Sequence, residues 1–85
     1  DTWLQADAAG RLHLFYLATE RSPGEGVHLA TSDDGVSWTE HGEVIAKDPT
    51  AEWLGSGSVW ALPDGRWATN WSEWYGRQQV IRFAV

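Results

Sequence analysis

Two acidic side chains stand where a carboxyl group could do chemistry. Asp1 begins the run Asp1-Thr2-Trp3 at the head of an extended segment, and a carboxylate at a strand end that faces a pocket serves as a nucleophile or a general base. Glu73 lies beside Trp71 and Trp74. Aromatic, apolar surroundings raise a carboxyl pKa, as a proton donor requires; a substrate hydrogen bond or a plain surface place are the other readings of Glu73. Trp3, Trp53, Trp60, Trp71 and Trp74 offer flat apolar faces for sugar rings, and Ser56, Ser58 and Asn70 offer hydroxyl and amide groups for the ring substituents. Period-2 position assigns Trp60 and Trp67 to packing between sheets and leaves Trp53, in a Gly-flanked connection, as the better pocket candidate. Gly55-Ser56-Gly57-Ser58 either lets backbone approach a ligand closely or forms a flexible lead into a strand.

Other chemistries find little footing. His13, His28 and His41 have no carboxylate or second His at the spacing a zinc site needs, and they read as strand residues or isolated polar groups. Ser32, Ser56 and Ser72 lack the turn context of an activated serine. The glycines near residue 55 are followed by no Lys and open no helix, so they form no phosphate loop. No metal and no cofactor is therefore expected. With Lys+Arg at 6 against Asp+Glu at 12, the formal net charge is −6, and no cluster of basic residues is present to neutralise phosphates, which argues against nucleic acid as a partner. No apolar run approaches the roughly 18 residues of a membrane-spanning helix, so no membrane partner is expected either. The chain has no Cys, which excludes a disulfide-stapled miniprotein and leaves the redox compartment open.

The elements that must hold these residues are strands. Alternation of β-branched and aromatic residues dominates, and no window keeps a helical period. Strands are expected at residues 2–7, 12–19, 27–32, around Trp38 to Ile45 with an interruption at His41-Gly42, and at 57–62, 67–74 and 78–85, with an irregular connection over 47–56. Gly10-Arg11 is matched by Gly65-Arg66, 55 residues on, and Val27-His28-Leu29-Ala30 by Ile81-Arg82-Phe83-Ala84, 54 residues on. A repeat of this length and content signals the blades of a β-propeller. The expected fold is all-β: about two antiparallel four-stranded blades, the first over about 1–46 and the second, incomplete, over about 57–85. Seven Trp among eleven aromatic residues suit either a tight β core or a sugar-binding cleft. The lack of any Met, with a start at Asp1 and a stop at Val85 in mid-strand, gives the expectation of a piece cut from a longer chain. Two blades leave faces and edges uncovered, so the partners expected are further blades of a parent chain or other copies of this one.

Asp1-Thr2-Trp3-Leu4 with Gly10-Arg11-Leu12-His13-Leu14-Phe15-Tyr16-Leu17 resembles the first blade of the five-bladed glycoside hydrolases that include β-fructosidases, levanases, arabinofuranosidases and β-xylosidases. Further matching stretches are Val27-His28-Leu29-Ala30-Thr31-Ser32-Asp33-Asp34-Gly35-Val36-Ser37-Trp38, Leu54-Gly55-Ser56-Gly57-Ser58-Val59, Ser72-Glu73-Trp74 and Gln79-Val80-Ile81-Arg82-Phe83-Ala84. The resemblance implies a carbohydrate substrate, hydrolysis of a glycosidic bond, and Asp1 as nucleophile in a retaining enzyme or base in an inverting one. It also implies that the general acid and a transition-state-stabilising aspartate come from later blades, and that Trp3, Trp53, Ser56, Ser58, Glu73 and Trp74 lie near the sugar. Many relatives of this type are extracytoplasmic. The fructosidases usually carry Asn-Asp-Pro-Asn where this chain has Thr2-Trp3 after the aspartate, so the resemblance assigns no branch.

Thr31-x-Asp33-x-Gly35-x-Ser37-Trp38 also fits the Asp-box of sialidases and related propellers, in which the Asp caps backbone amides and the Trp plugs the blade. A sialidase would need a triad of convergent arginines, and the five here (11, 21, 66, 77 and 82) are scattered over turns and strands. A non-catalytic carbohydrate-binding or self-assembling propeller module is the remaining alternative.

Overall fold

A computed structural model describes residues 2–17 and 26–85. Eight strands and no helix are found among them: β1 (Thr2–Ala6), β2 (Leu12–Leu17), β3 (Val27–Ser32), β4 (Thr39–Ile45), β5 (Trp53–Gly55), β6 (Val59–Ala61), β7 (Trp67–Tyr75) and β8 (Gln78–Ala84). The all-β expectation holds, as two antiparallel four-stranded sheets consistent with an incomplete propeller. The first sheet is a meander, β1-β2-β3-β4. In the second, β7 is the hub: β5 and β6 share one of its edges and β8 takes the other. The four strands of the second sheet therefore fill three lanes, the first of them interrupted at residues 56–58.

Turn chemistry explains the hairpins and repeats with the sequence. In the first, Asp7 N–H donates to the Arg11 carbonyl and Gly10 N–H to the Asp7 carbonyl; in the second, Leu62 and Gly65 make the same bonds to Arg66 and Leu62. Gly10 and Gly65 both sit at positive φ, 86° and 88°, which a side chain disfavours. The register carries the equivalence across each sheet. Leu4 pairs with Leu14 and Leu14 with Ala30; Val59 pairs with Thr69 and Thr69 with Ala84.

Two expectations about connections change. The interruption at His41-Gly42 is a β-bulge: Leu29 opposes Gly42 while Ala30 opposes Glu40, so His41 is the extra residue, with Gly42 at φ 84°. The connection over 47–56 is not wholly irregular. Asp48 caps a turn through Pro49, its Oδ1 accepting from Thr50 N–H at 2.8 Å, and the chain then pairs as β5 with β7. The expected loop around Pro23 and Gly24, and the end of the second strand at 18–19, lie outside the described residues.

Alternation sorts each sheet into two faces. The facing sides hold Trp3, Phe15, Leu17, Val27 and Ile45 from the first sheet, and Leu54, Val59, Trp71 and Ala84 from the second. Trp3 stacks on Phe15 with centroids 6.1 Å apart, and His13 meets Trp67 edge-on at 4.6 Å. The Trp3 indole N–H donates to Thr69 Oγ1 at 3.1 Å, and the Thr69 hydroxyl donates to the Ser58 carbonyl at 2.9 Å. This chain ties β1 to β6, the strands along which the sheets meet. Of the two tryptophans assigned to packing between sheets, Trp67 does so. Trp60 instead lies on the outward face against Phe83 of its own sheet, at 6.4 Å.

Candidate functional site

Glu73 is the most constrained carboxylate. It lies in the middle of β7, opposite Leu54 of β5 and Val80 of β8, with 4% of its surface exposed. Alternation along β7 puts Trp71, Glu73 and Tyr75 on the face turned toward the first sheet, and Arg82 stands opposite Trp71 on the same face. Glu73 Oε2 accepts from the Trp71 indole N–H at 2.9 Å; Oε1 accepts from the Tyr75 hydroxyl and from Arg82 Nε at 3.0 Å. Burial alone would raise the Glu73 pKa. The donors Tyr75, Trp71 and Arg82 outweigh it, and the carboxyl is held below its usual range. The aromatic flanks expected to raise this pKa thus do the reverse: one supplies an N–H to the carboxylate. Tyr75 is raised in turn, first by its hydrogen bond to Glu73. Glu73 is an ionised anchor with both oxygens engaged, not a proton donor.

Trp53 and Trp74 form the clearest exposed platform. They are a cross-strand pair of β5 and β7, stacked at 4.9 Å with 23° between planes, and Trp53 is 51% exposed. The pair is braced from both sides. Glu52 N–H donates to the Trp74 carbonyl at 2.7 Å, and Glu52 Oε1 accepts from Gly76 N–H at 3.0 Å in the turn between β7 and β8. Gly76 has φ 63° while Arg77 does not share a positive φ, the pattern of a type II′ hairpin turn.

The Gly55-Ser56-Gly57-Ser58 run gains its meaning from β7. A Cβ on Gly57 would overlap the Asn70 carbonyl, and one on Gly55 would overlap the Ser72 hydroxyl. Ser58 N–H donates to Asn70 Oδ1 at 2.8 Å and Asn70 N–H to the Ser58 carbonyl at 3.0 Å. The close approach these glycines allow is to the neighbouring strand. Ser58 and Asn70 bind each other, and Ser56 lies partway along the open stretch between β5 and β6.

The structure brings the expected site residues together only in part. Trp53 and Trp74 touch, Glu73 lies on the opposite face of the same strand, and Ser58 sits on β7's other half. Trp3 is buried between the sheets with its N–H spent on Thr69. Asp1 lies outside the described residues. The arginines engage separate acids: Arg11 lies 3.7 Å from Asp33, Arg66 2.8 Å from Asp64 and Arg82 3.0 Å from Glu73. In the Asp-box segment the capping residue is Asp34, not Asp33. Asp34 Oδ1 accepts from Val36 and Ser37 N–H at 2.8 and 2.9 Å and from the Ser32 hydroxyl, which holds its pKa down, while Asp33 and Trp38 lie exposed.

One pairing escaped the sequence reading. His13 Nε2 lies 3.3 Å from Asp7 Oδ2 across the β1–β2 hairpin, beside Trp67, in an open cleft of about 810 Å³ that Gln5 and Arg66 also line. The backbone N–H of Arg11, then His13, lowers the Asp7 pKa. A spacing of six residues signals nothing on one strand; it places side chains together only once the turn is closed. Among the described residues no three His, Asp or Glu side chains converge as metal donors. Compared with protein-family models, with curated proteins and with solved structures, the chain has no significant match in any of the three.

Proposed function

We propose that this chain is the leading part of a propeller-type glycoside hydrolase acting on an oligo- or polysaccharide, with Asp1 as nucleophile or general base and Trp53–Trp74 as a sugar platform. The observation that carries the carbohydrate reading is the stack itself: two near-parallel indoles, the outer one half exposed, on a braced strand pair. Such a plane receives the C–H face of a sugar ring at little entropic cost, because the aromatic side chains are already held.

Glycosidic hydrolysis through an oxocarbenium-like transition state needs a protonated acid on one side of the scissile bond and a carboxylate on the other. Glu73, ionised and fully bonded, does not fill the acid's place. On this reading the acid belongs to another blade, and the 85 residues bind sugar without turning it over. The same observation supports a second reading, a non-catalytic carbohydrate-binding module, which differs in giving Asp1 no role.

Titration of tryptophan fluorescence with fructan, arabinan and xylan oligosaccharides tests the proposal. Saturable binding to one of them is expected, weakened about tenfold by Trp53→Ala and unchanged by Asp1→Asn. Absence of binding across the panel overturns the carbohydrate reading, and hydrolysis by the 85 residues alone overturns the assignment of roles.

A further inference from the structure

We propose that the outward face of the second sheet docks on the outward face of the first sheet of another copy of this chain, so that copies associate head to tail as the two sheets do within one chain. The argument rests on the internal repeat and not on the carbohydrate reading.

The repeat relates faces as well as strands. The second sheet turns Val59, Trp67, Thr69, Trp71 and Ala84 toward the first. Their counterparts 54 or 55 residues earlier are Leu4, Leu12, Leu14, Tyr16 and Ala30, which share the outward face of the first sheet by register. In the other direction, Trp3, His13, Phe15, Val27 and Leu29 of the first sheet, most of which pack on the second, correspond to Ser58, Ala68, Asn70, Ile81 and Phe83. Each sheet therefore has one face built to receive the next unit and one built to sit on the unit before. Within the chain one such contact is made, and one face of each kind is left over.

Exposure marks the leftover faces. Val27 is fully buried, whereas its counterpart Ile81 is 53% exposed and Phe83 is 65% exposed. Trp60 extends this patch through its contact with Phe83. On the first sheet, Leu4 is 53% exposed, and Leu14, Tyr16, Ala30 and Trp38 line a groove of about 370 Å³. No strand residue on the outward face of the second sheet is charged, so docking there buries no unpaired charge of its own. Trp53 and Trp74 stand at the far end of that face, about six residues or 20 Å along β7 from the Trp60 level. A contact of this kind is heterologous: each needs one of each face, and copies can add in series.

Sedimentation and light scattering over a wide concentration range provide the test. The chain is expected to grow in mass with concentration. The double variant Ile81→Glu, Phe83→Glu and the single variant Leu4→Glu should each be monomeric, with affinity reduced more than tenfold, because each blocks one partner of every contact. Mixed in equal amounts they should form a 1:1 dimer, since each keeps the face the other lacks. If the glutamates disturb the sheet, seen by circular dichroism, Ile81→Thr with Phe83→Thr reads the same contact. Trp53→Ala, which abolishes sugar binding on the reading above, should leave association unchanged. A monomer at all concentrations overturns the proposal. So does a Leu4→Glu variant that still dimerises, which would reveal symmetric pairing through the second sheet alone.

Discussion

Replacing Glu73 by Gln tests whether the buried carboxylate anchors the second sheet. The substitution keeps shape and removes charge. Whichever way the amide turns, its NH2 meets a donor: Trp71 Nε1 if it takes the Oε2 place, Arg82 Nε if it takes the Oε1 place. One hydrogen bond to a charged group, worth about 1.5–3 kcal/mol, is lost, and a buried donor is left facing another donor. Arg82 is half exposed and regains water, so the full penalty of a broken buried pair is not incurred. The expected loss is about 2–4 kcal/mol at neutral pH, which for a domain of this size lowers Tm by roughly 10–25 °C. Because the folded-state pKa lies below the usual 4.5, Glu73 contributes its full stabilisation above that value and loses it as pH falls through the folded one. The gap between wild type and variant should therefore be constant above about pH 5 and close in acid. Urea unfolding of both proteins between neutral and acid pH, at a concentration low enough to keep them monomeric, provides the measurement. A gap under about 0.5 kcal/mol at neutral pH, or one that widens in acid, would refute the assignment of Glu73 as an ionised anchor.

Two further substitutions probe the approach of backbones and the turn between β3 and β4. Gly57→Ala forces a methyl against the Asn70 carbonyl and should cost about 1–3 kcal/mol in thermal unfolding, through separation of β6 from β7; a neutral outcome would show that the strands are not held so close. Asp34→Ala should destabilise more than Asp33→Ala, because Asp34 caps Val36 and Ser37 whereas Asp33 makes a long ion pair with Arg11 at the surface. Equal melting temperatures for the two variants would contradict that ranking.

The strands were legible because their signals are local. Alternation, Gly-bearing turns and the 55-residue offset each act through neighbours in sequence, and the register reproduces the offset pair by pair. The bulge at His41-Gly42 also showed as a break in the pattern. Asp34 displaced Asp33 as the capping residue because a cap depends on which carboxylate the turn aims at free N–H groups, and adjacent aspartates look alike on the page.

Composition and spacing by themselves determined the class of fold, the two-unit plan and the aromatic supply, all of which follow from backbone preference and period. Tertiary structure alone decided what each carboxylate and indole does. Glu73 is ionised because two donors from its own strand and one from β8 converge on it. Trp3 is core and Trp53 is platform because one points between the sheets and the other away from them. A pKa or an open ring face depends on groups gathered from distant parts of the chain, and that gathering exists only once the sheets have formed and packed.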